Sequence, residues 1–217
     1  MKPISHCFLY GIVDLGYLAP DQVSRVTDQL LEGGIDMLQL RAKGHSNPQI
    51  LKCADFMLPL TRMAGVPLIL NDHPDLLREV AAEGCHVGQE DYGVAEARDL
   101  AGRDCLVGKS THTLAQALAA EREGADYLGF GPLFPTATKP TAIAVGLAGI
   151  RALHEQVNLP IYCIGGVKLG NIGEIVSAGA KRVCIVSDLL LAADVTKRTA
   201  EIKSALCIDP RSWDEAL

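Results

Sequence analysis

Short apolar runs alternate with longer stretches of helical period along the whole chain. The apolar runs lie near residues 8–13, 36–41, 67–70, 85–88, 105–109, 126–130, 160–164 and 182–186, and their length and composition predict strands. Helical patterns fill the intervals near 20–33, 47–64, 74–82, 94–101, 113–123, 146–157 and 169–178, and a last one runs over 189–205. Asp21 after Pro20, Asn47 before Pro48, and Pro74 in a first turn are helix start signals. Gly33-Gly34, Gly65, Gly84, Gly124 and Gly179 read as left-handed helix stops. Eight such βα units in 217 residues predict an α/β fold, a single-domain (β/α)8 TIM barrel over 1–217. The alternative is an open doubly wound sheet, which usually has fewer strands and a Gly-rich turn after the first. Here Val13-Asp14-Leu15-Gly16 follows that strand, without GxGxxG. Residues 206–217 form either a flexible tail or a segment that packs on a neighbour.

The two ends of the strands differ in chemistry. Strand starts are bland, as at Ala125-Asp126 or Leu159-Pro160. Strand exits carry Gln39, Arg41 and Lys43; Asn71 and Asp72; His86 through Asp91; Lys109 through His112; Gly165-Gly166; and Val186-Ser187. A barrel gathers all strand exits on one rim, where its active site lies. After the sixth strand comes Gly131-Pro-Leu-Phe-Pro-Thr136-Ala-Thr138-Lys139-Pro140. Prolines stiffen this segment, and its hydroxyls, N–H groups and ammonium suit a phosphate or pyrophosphate. An ordinary polar loop is the plain alternative.

Composition narrows the classes of partner. Hydrophobic residues make up 48% and charged residues 21%, enough for a large core. Net charge is −6 with no basic run, which argues against nucleic acid, since phosphate-backbone affinity needs clustered Lys and Arg. Seven cysteines are scattered without a CxxC, which points to reduced thiols and a cytoplasmic location. No apolar stretch reaches membrane-spanning length, and the N-terminal one is too short for a signal peptide.

Individual exits suggest particular chemistry. Gln39, Arg41 and Lys43 alternate along a strand and so share one face, toward the barrel mouth, with Leu38 and Leu40 facing the helices. Arg41 and Lys43 could equally be a solvated pair. Asp72 and Asp91 leave consecutive strands, and two carboxylates amid cationic groups suit Mg²⁺ shared with substrate phosphates. Asp72 is also well placed to cap the helix at Pro74. No Cys/His pair has zinc spacing. Ser110 and His112 lack a third member for a hydrolase triad, and a phosphate contact from Ser110 is the simpler use. His86 reads as a structural histidine. Gly165-Gly166 and Ser187 follow the seventh and eighth strands, a common phosphate position in barrels, although a lone Gly-Gly also makes a plain turn.

Taken in order, the segments Gln39-Leu-Arg-Ala-Lys43, Asn71-Asp72, His86-Val-Gly-Gln-Glu-Asp91, Gly108-Lys-Ser-Thr-His112, Asp126-Tyr-Leu-Gly-Phe-Gly-Pro132, Pro135-Thr-Ala-Thr-Lys139, Ile164-Gly-Gly166 and Val186-Ser187 closely resemble the thiamine phosphate synthase family. They span nearly the whole chain. The resemblance implies a Mg²⁺-dependent transferase that joins 4-amino-2-methyl-5-hydroxymethylpyrimidine diphosphate to a thiazole phosphate, giving thiamine phosphate and pyrophosphate. It implies Mg²⁺ on Asp72 and Asp91. It places Arg41, Lys43, Asn71, Ser110 and Lys139 on the diphosphate and Gln39 near the pyrimidine. Thr136, Thr138, Gly166, Val186 and Ser187 fall to the thiazole phosphate. Lys43, Ser110 and Lys139 are the implied catalytic groups, which stabilise the departing pyrophosphate.

The chain departs from the family pattern in places. Its first strand ends Ile12-Val-Asp14 instead of Thr-Asp, Ala42 replaces a frequent acidic residue, and Cys85 replaces Val. Lys109 stands where a small apolar residue is common, which adds a positive charge near the expected site. Two rival functions are a thiazole tautomerase, whose branch has His in place of Pro132, and a non-catalytic phosphate-binding regulator. Intact Asn71-Asp72 and Thr136-Ala-Thr-Lys139 argue against the first, and retention of Asp72 and Asp91 against the second. The partners expected are these small molecules, without nucleic acid or membrane, with a homo-oligomer left open.

Overall fold

The eight apolar runs form eight parallel strands: β1 (Leu9–Asp14), β2 (Met37–Arg41), β3 (Leu68–Asn71), β4 (Gly84–Val87), β5 (Leu106–Thr111), β6 (Tyr127–Phe130), β7 (Ile161–Ile164) and β8 (Arg182–Ile185). Each pairs with its neighbour in sequence, and β1 also pairs with β8, which closes the barrel. The structure is a computed structural model that describes residues 2–136, 138 and 143–206. Outside the strands lie α1 (Val23–Glu32), α2 (Asn47–Ala64), α3 (Leu77–Val80), α4 (Val94–Ala101), α5 (Leu114–Arg122), α6 (Ile150–Gln156), α7 (Ile172–Ser177), α8 (Ser187–Leu190) and α9 (Val195–Leu206). The predicted (β/α)8 barrel is the fold observed. The expected tail lies mostly outside the described residues.

Three local expectations fail for physical reasons. The last helix is two helices, because Asp194 caps a new start: its Oδ1 accepts the Lys197 N–H at 2.9 Å. β5 runs two residues beyond 109, since Ser110 and Thr111 still find register partners in Gly129 and Phe130. Gly84 is not a helix stop. Ala81 takes the left-handed position at φ 55°, and Gly84 opens β4, where a Cβ would lie 2.3 Å from the Leu106 carbonyl oxygen.

The barrel interior is filled below its mouth by three buried tyrosines, Tyr10, Tyr127 and Tyr162. Their rings meet edge-on, with centroids 5.2–5.9 Å apart. Tyr162 donates its hydroxyl to the Cys7 carbonyl at 2.9 Å, toward the strand-entry end. That end is tied together by Asp36, 1% exposed, just before β2. Its carboxylate accepts the N–H groups of Phe8 and Leu9, each at 2.9 Å, and pairs with the ammonium groups of Lys2 and Lys203. With one end of the barrel plugged, polar chemistry is confined to the other. Among the described residues, no helix is long and apolar enough to cross a membrane.

Candidate active site

The strand exits surround a cavity at the barrel mouth. Gln39, Arg41, Asn71, Ser110, Thr136, Thr138, Gly166, Val186 and Ser187 all line it. These are nine of the residues singled out from sequence, drawn from six strand exits. Lys43, Asp72 and Asp91 are not in that lining. They form an adjoining cluster, joined to the cavity through Asn71. Lys139 lies outside the described residues.

The carboxylate cluster is built on unusual backbone. β3 ends at Asn71, and Asp72 turns into the left-handed region at φ 60°, with its N–H donated to the His86 carbonyl at 2.9 Å. This turn sends Asp72 away from the following helical turn, whose N-cap is His73, so the capping alternative fails. Asp91 folds back, its Oδ2 accepting the Gly88 N–H at 2.9 Å. A Cβ at Gly88 would stand 2.4 Å from that oxygen, so a side chain here would push the Asp91 carboxylate aside. Asp72 and Asp91 face each other closely enough to interact. Burial raises the Asp72 pKa, and the charge of Asp91 and a hydrogen bond between the two carboxyls raise it further, while Lys43 and Asn71 oppose the rise. Lys43 Nζ is 3.8 Å from Asp72 Oδ2. Among the described residues, no three His, Cys, Asp or Glu side chains converge. Two facing carboxylates, Asp91 exposed and Asp72 partly so, fit a hard divalent cation that keeps water and substrate oxygens as its other ligands.

Arg41 reaches the mouth but is held there. Its Nη1 lies 2.6 Å from Oδ2 of Asp14, which is 1% exposed and is its direct register partner across β1 and β2. Asp14 also accepts the Gly16 N–H at 2.9 Å, closing the turn after β1. Nothing in the sequence reading assigned Asp14 a task. Its signal was an acidic residue at the exit of a fully apolar strand.

The cavity floor carries a hydrogen-bonded chain that crosses the barrel. Gln39 Nε2 donates to the Tyr10 hydroxyl at 2.5 Å, and that hydroxyl meets Tyr127 OH at 3.1 Å. Tyr127 OH meets His86 Nδ1 at 3.2 Å, and His86 Nε2 meets Ser110 Oγ at 2.9 Å. One arrangement that satisfies all four contacts has Tyr10 donating to Tyr127, Tyr127 to His86 Nδ1 and His86 Nε2 to Ser110, which leaves the Ser110 hydrogen for an acceptor in the cavity; the reverse order from Ser110 to Tyr10 satisfies them equally. His86 is therefore part of the site, and Tyr10 and Tyr127 were missed because buried aromatic residues in strands read as core. Glycine at 108 and 129 makes room for the imidazole: a Cβ at Gly108 would lie 2.5 Å from His86 Nδ1.

On the opposite side, the loop after β6 meets Gly165 and Gly166, both at positive φ. A Cβ on Gly165 would lie 2.3 Å from the Pro132 Cβ, and one on Gly166 2.7 Å from the Phe134 Cβ, so only glycine allows this approach. Thr138 Oγ1 hydrogen-bonds Tyr17 OH at 3.0 Å, a contact from the loop after β1 across the mouth. His112 hydrogen-bonds the Gly131 carbonyl through Nδ1, and Thr113 caps α5 by accepting the Gln116 N–H at 3.2 Å. His112 thus bonds to backbone of the β6 exit and makes no hydrogen bond to Ser110.

Lys109 is displaced from its expected role. Side chains alternate along β5, so Ser110 faces the cavity and Lys109 the helical layer. Its ammonium, on a residue 7% exposed, donates to the Gly88 carbonyl at 2.6 Å and the Tyr92 carbonyl at 3.0 Å. Burial lowers its pKa, against the charges of Glu123 and Asp91. Two thiols of the barrel strands are poor nucleophiles, since burial pushes Cys85 and Cys163 up to about 12.

The description of the thiamine monophosphate synthase family matches residues 9–189 of this chain. The chain belongs to that family. A thiamine-phosphate synthase of Shouchella clausii is 39% identical over 207 residues, covering 95% of this chain and 98% of its own. One of Chloroflexus aurantiacus is 42% identical over 201 residues, covering 92% and 93%. The solved structure of a thiamine phosphate pyrophosphorylase from Pyrococcus furiosus superposes with a TM-score of 0.85 at 31% identity, over 92% of this chain and 95% of that one. Membership puts the chain among the transferases of thiamine biosynthesis.

Proposed function

We propose that this protein joins 4-amino-2-methyl-5-hydroxymethylpyrimidine diphosphate to a thiazole phosphate, releasing pyrophosphate and forming thiamine phosphate. The observation that carries the reading is the facing pair Asp72 and Asp91 beside Lys43, at the edge of a cavity floored by Gln39 and Ser110. A bond between the pyrimidine methylene and the diphosphate oxygen breaks, its electron pair leaving with pyrophosphate. The thiazole nitrogen lone pair then captures the pyrimidine-methyl cation. No side chain needs to act as a nucleophile, in keeping with the buried, poorly ionised thiols of Cys85 and Cys163.

Mg²⁺ bound by Asp72 and Asp91 would offset charge building on the departing pyrophosphate. Lys43, Asn71, Arg41 and the Ser110 hydroxyl hold the diphosphate oxygens from fixed positions, which limits reorganisation as charge develops. Lys139 adds a second cation in this reading. Gln39, its Nε2 committed to Tyr10, offers its carbonyl oxygen to the pyrimidine amino group. Thr136, Thr138, Gly166, Val186 and Ser187 take the thiazole phosphate on the far side, so the two rings meet across the cavity. Ile12, Ile164 and Val186 line the same space and keep water from the cation. Pro132 also lines the cavity and cannot transfer a proton, which favours the transferase over the tautomerase.

The test is to incubate the purified protein with both substrates and Mg²⁺ and look for thiamine phosphate by mass spectrometry. Product from the wild type and none from Asp91→Ala, with the variant still folded by circular dichroism, is the expected result. Absence of product from the wild type, or full activity of Asp91→Ala, overturns the reading.

A further inference from the structure

The turn Gly88–Tyr92 carries Asp91 out of β4, and little of its own structure would hold it. It contains one side-chain hydrogen bond to its own backbone, from the Gly88 N–H to Asp91 Oδ2. Two contacts from β5 fasten it instead. On the mouth side, Gln89 Nε2 donates to the Ser110 carbonyl at 2.5 Å. On the helical side, Lys109 Nζ donates to the carbonyls of Gly88 and Tyr92, at 2.6 and 3.0 Å. Those two carbonyls are the ends of the turn. An ammonium bonded to both fixes the distance between them, and so the direction of the carboxylate they bracket.

The choice of lysine is physically expensive. Among the described residues, the ammonium has no carboxylate partner within ion-pair distance, although it is almost wholly buried. Burying an ammonium with carbonyl groups as its direct partners costs more than burying an apolar side chain of similar length. A structural filler does not need that cost. A buried positive charge behind two converging carboxylates does have a use, because it offsets their mutual repulsion when no cation lies between them.

We propose that Lys109 is a positioning residue for the divalent-cation site, clamping both ends of the turn so that Asp91 is held toward Asp72. This rests on the reading above that Asp72 and Asp91 bind the metal. Lys109 touches neither substrate nor metal. It acts through Asp91, as partners behind a ligand commonly do.

Direct binding of Mn²⁺, used as a paramagnetic stand-in for Mg²⁺ and followed by electron paramagnetic resonance on the full chain, separates the two claims. Wild type binding Mn²⁺ more tightly than Asp91→Ala establishes the carboxylate site; equal binding by those two ends that reading, and the present one with it. Given a carboxylate site, Lys109→Met is expected to weaken Mn²⁺ on the order of tenfold. It should raise the Mg²⁺ concentration needed for half-maximal rate by a similar factor, with kcat at saturating Mg²⁺ and KM for the thiazole phosphate near wild type. Lys109→Arg, which keeps the charge and the donors, should recover most of the affinity. If Lys109→Met does not fold, Lys109→Gln is read on the same scale, since one amide donor can still reach a carbonyl. Mn²⁺ affinity of the folded variant within about twofold of wild type, or a loss that Arg does not repair, overturns the assignment.

Discussion

Arg41 and Asp14 are register partners on adjacent strands, and their side chains meet at 2.6 Å with the carboxylate almost wholly buried. The guanidinium expected to grip a diphosphate is thus positioned in advance by a neighbour that does not line the cavity. Asp14→Asn keeps the shape and the turn acceptor but removes the charge that orients Arg41. The expected outcome is a KM for the pyrimidine diphosphate raised on the order of tenfold, about 1.4 kcal/mol, with a smaller change in kcat. Steady-state kinetics at saturating thiazole phosphate checks it, and an unchanged KM would show that Arg41 needs no anchor.

Burial first, and then the charge of Asp91 facing it, make the Asp72 carboxyl hold its proton more tightly than usual. A carboxyl whose folded pKa is raised stabilises the fold as pH falls through that raised value, and its charged form destabilises at neutral pH. Asp72→Asn removes the repulsion, and Asn also tolerates the left-handed backbone found there. We expect the metal-free melting midpoint at pH 7 to rise by about 2–4 °C, while activity is lost. Mg²⁺ should raise the midpoint of the wild type and not of the variant. Calorimetry with and without Mg²⁺ measures both, and a lowered midpoint for metal-free Asp72→Asn would contradict the account.

Asp36 shows the opposite balance at the far end of the barrel. Burial alone would raise its pKa, but hydrogen bonds from Lys2 and Lys203 and from the N–H groups of Leu9 and Phe8 outweigh it, and the net shift is downward. A lowered carboxyl pKa means stability that is fully present above its unfolded value near 3.9 and is lost as pH falls through the lower folded value. Asp36→Asn should cost about 1–2 kcal/mol at pH 7, because the partly exposed Lys2 and Lys203 lose their charged partner and the two N–H groups a charged acceptor. The gap to wild type should narrow below about pH 4. Urea titrations at pH 7 and pH 3 test this; an equal gap at both would mean the ion pairs contribute nothing. Turnover of the folded variant should be unchanged, since Asp36 lies at the rim away from the cavity.

The order of strands and helices was readable from the chain because each βα unit carries its own period and punctuation, and eight of them in series have few ways to close. The functional rim was readable for a related reason: polar residues at strand exits break an apolar pattern visibly. Gln39, Asn71, Ser110 and Ser187 stood out in this way, and all four line one cavity. Helix boundaries were less legible near 189–205, because the helical pattern runs on through Asp194, the residue that caps the second helix.

What the sequence alone determined, then, is the fold, the face that does chemistry, and the residue types gathered there. Tertiary structure decided which way those side chains work. Tyr10 and Tyr127 look like core until Gln39 and His86 arrive from other strands to complete the chain that aims Ser110. Lys109 looks like an extra charge at the site until strand alternation turns it outward, behind Asp91. Period and composition are properties of neighbours along the chain, whereas a hydrogen bond's direction depends on partners that only closure of the barrel brings within 3 Å.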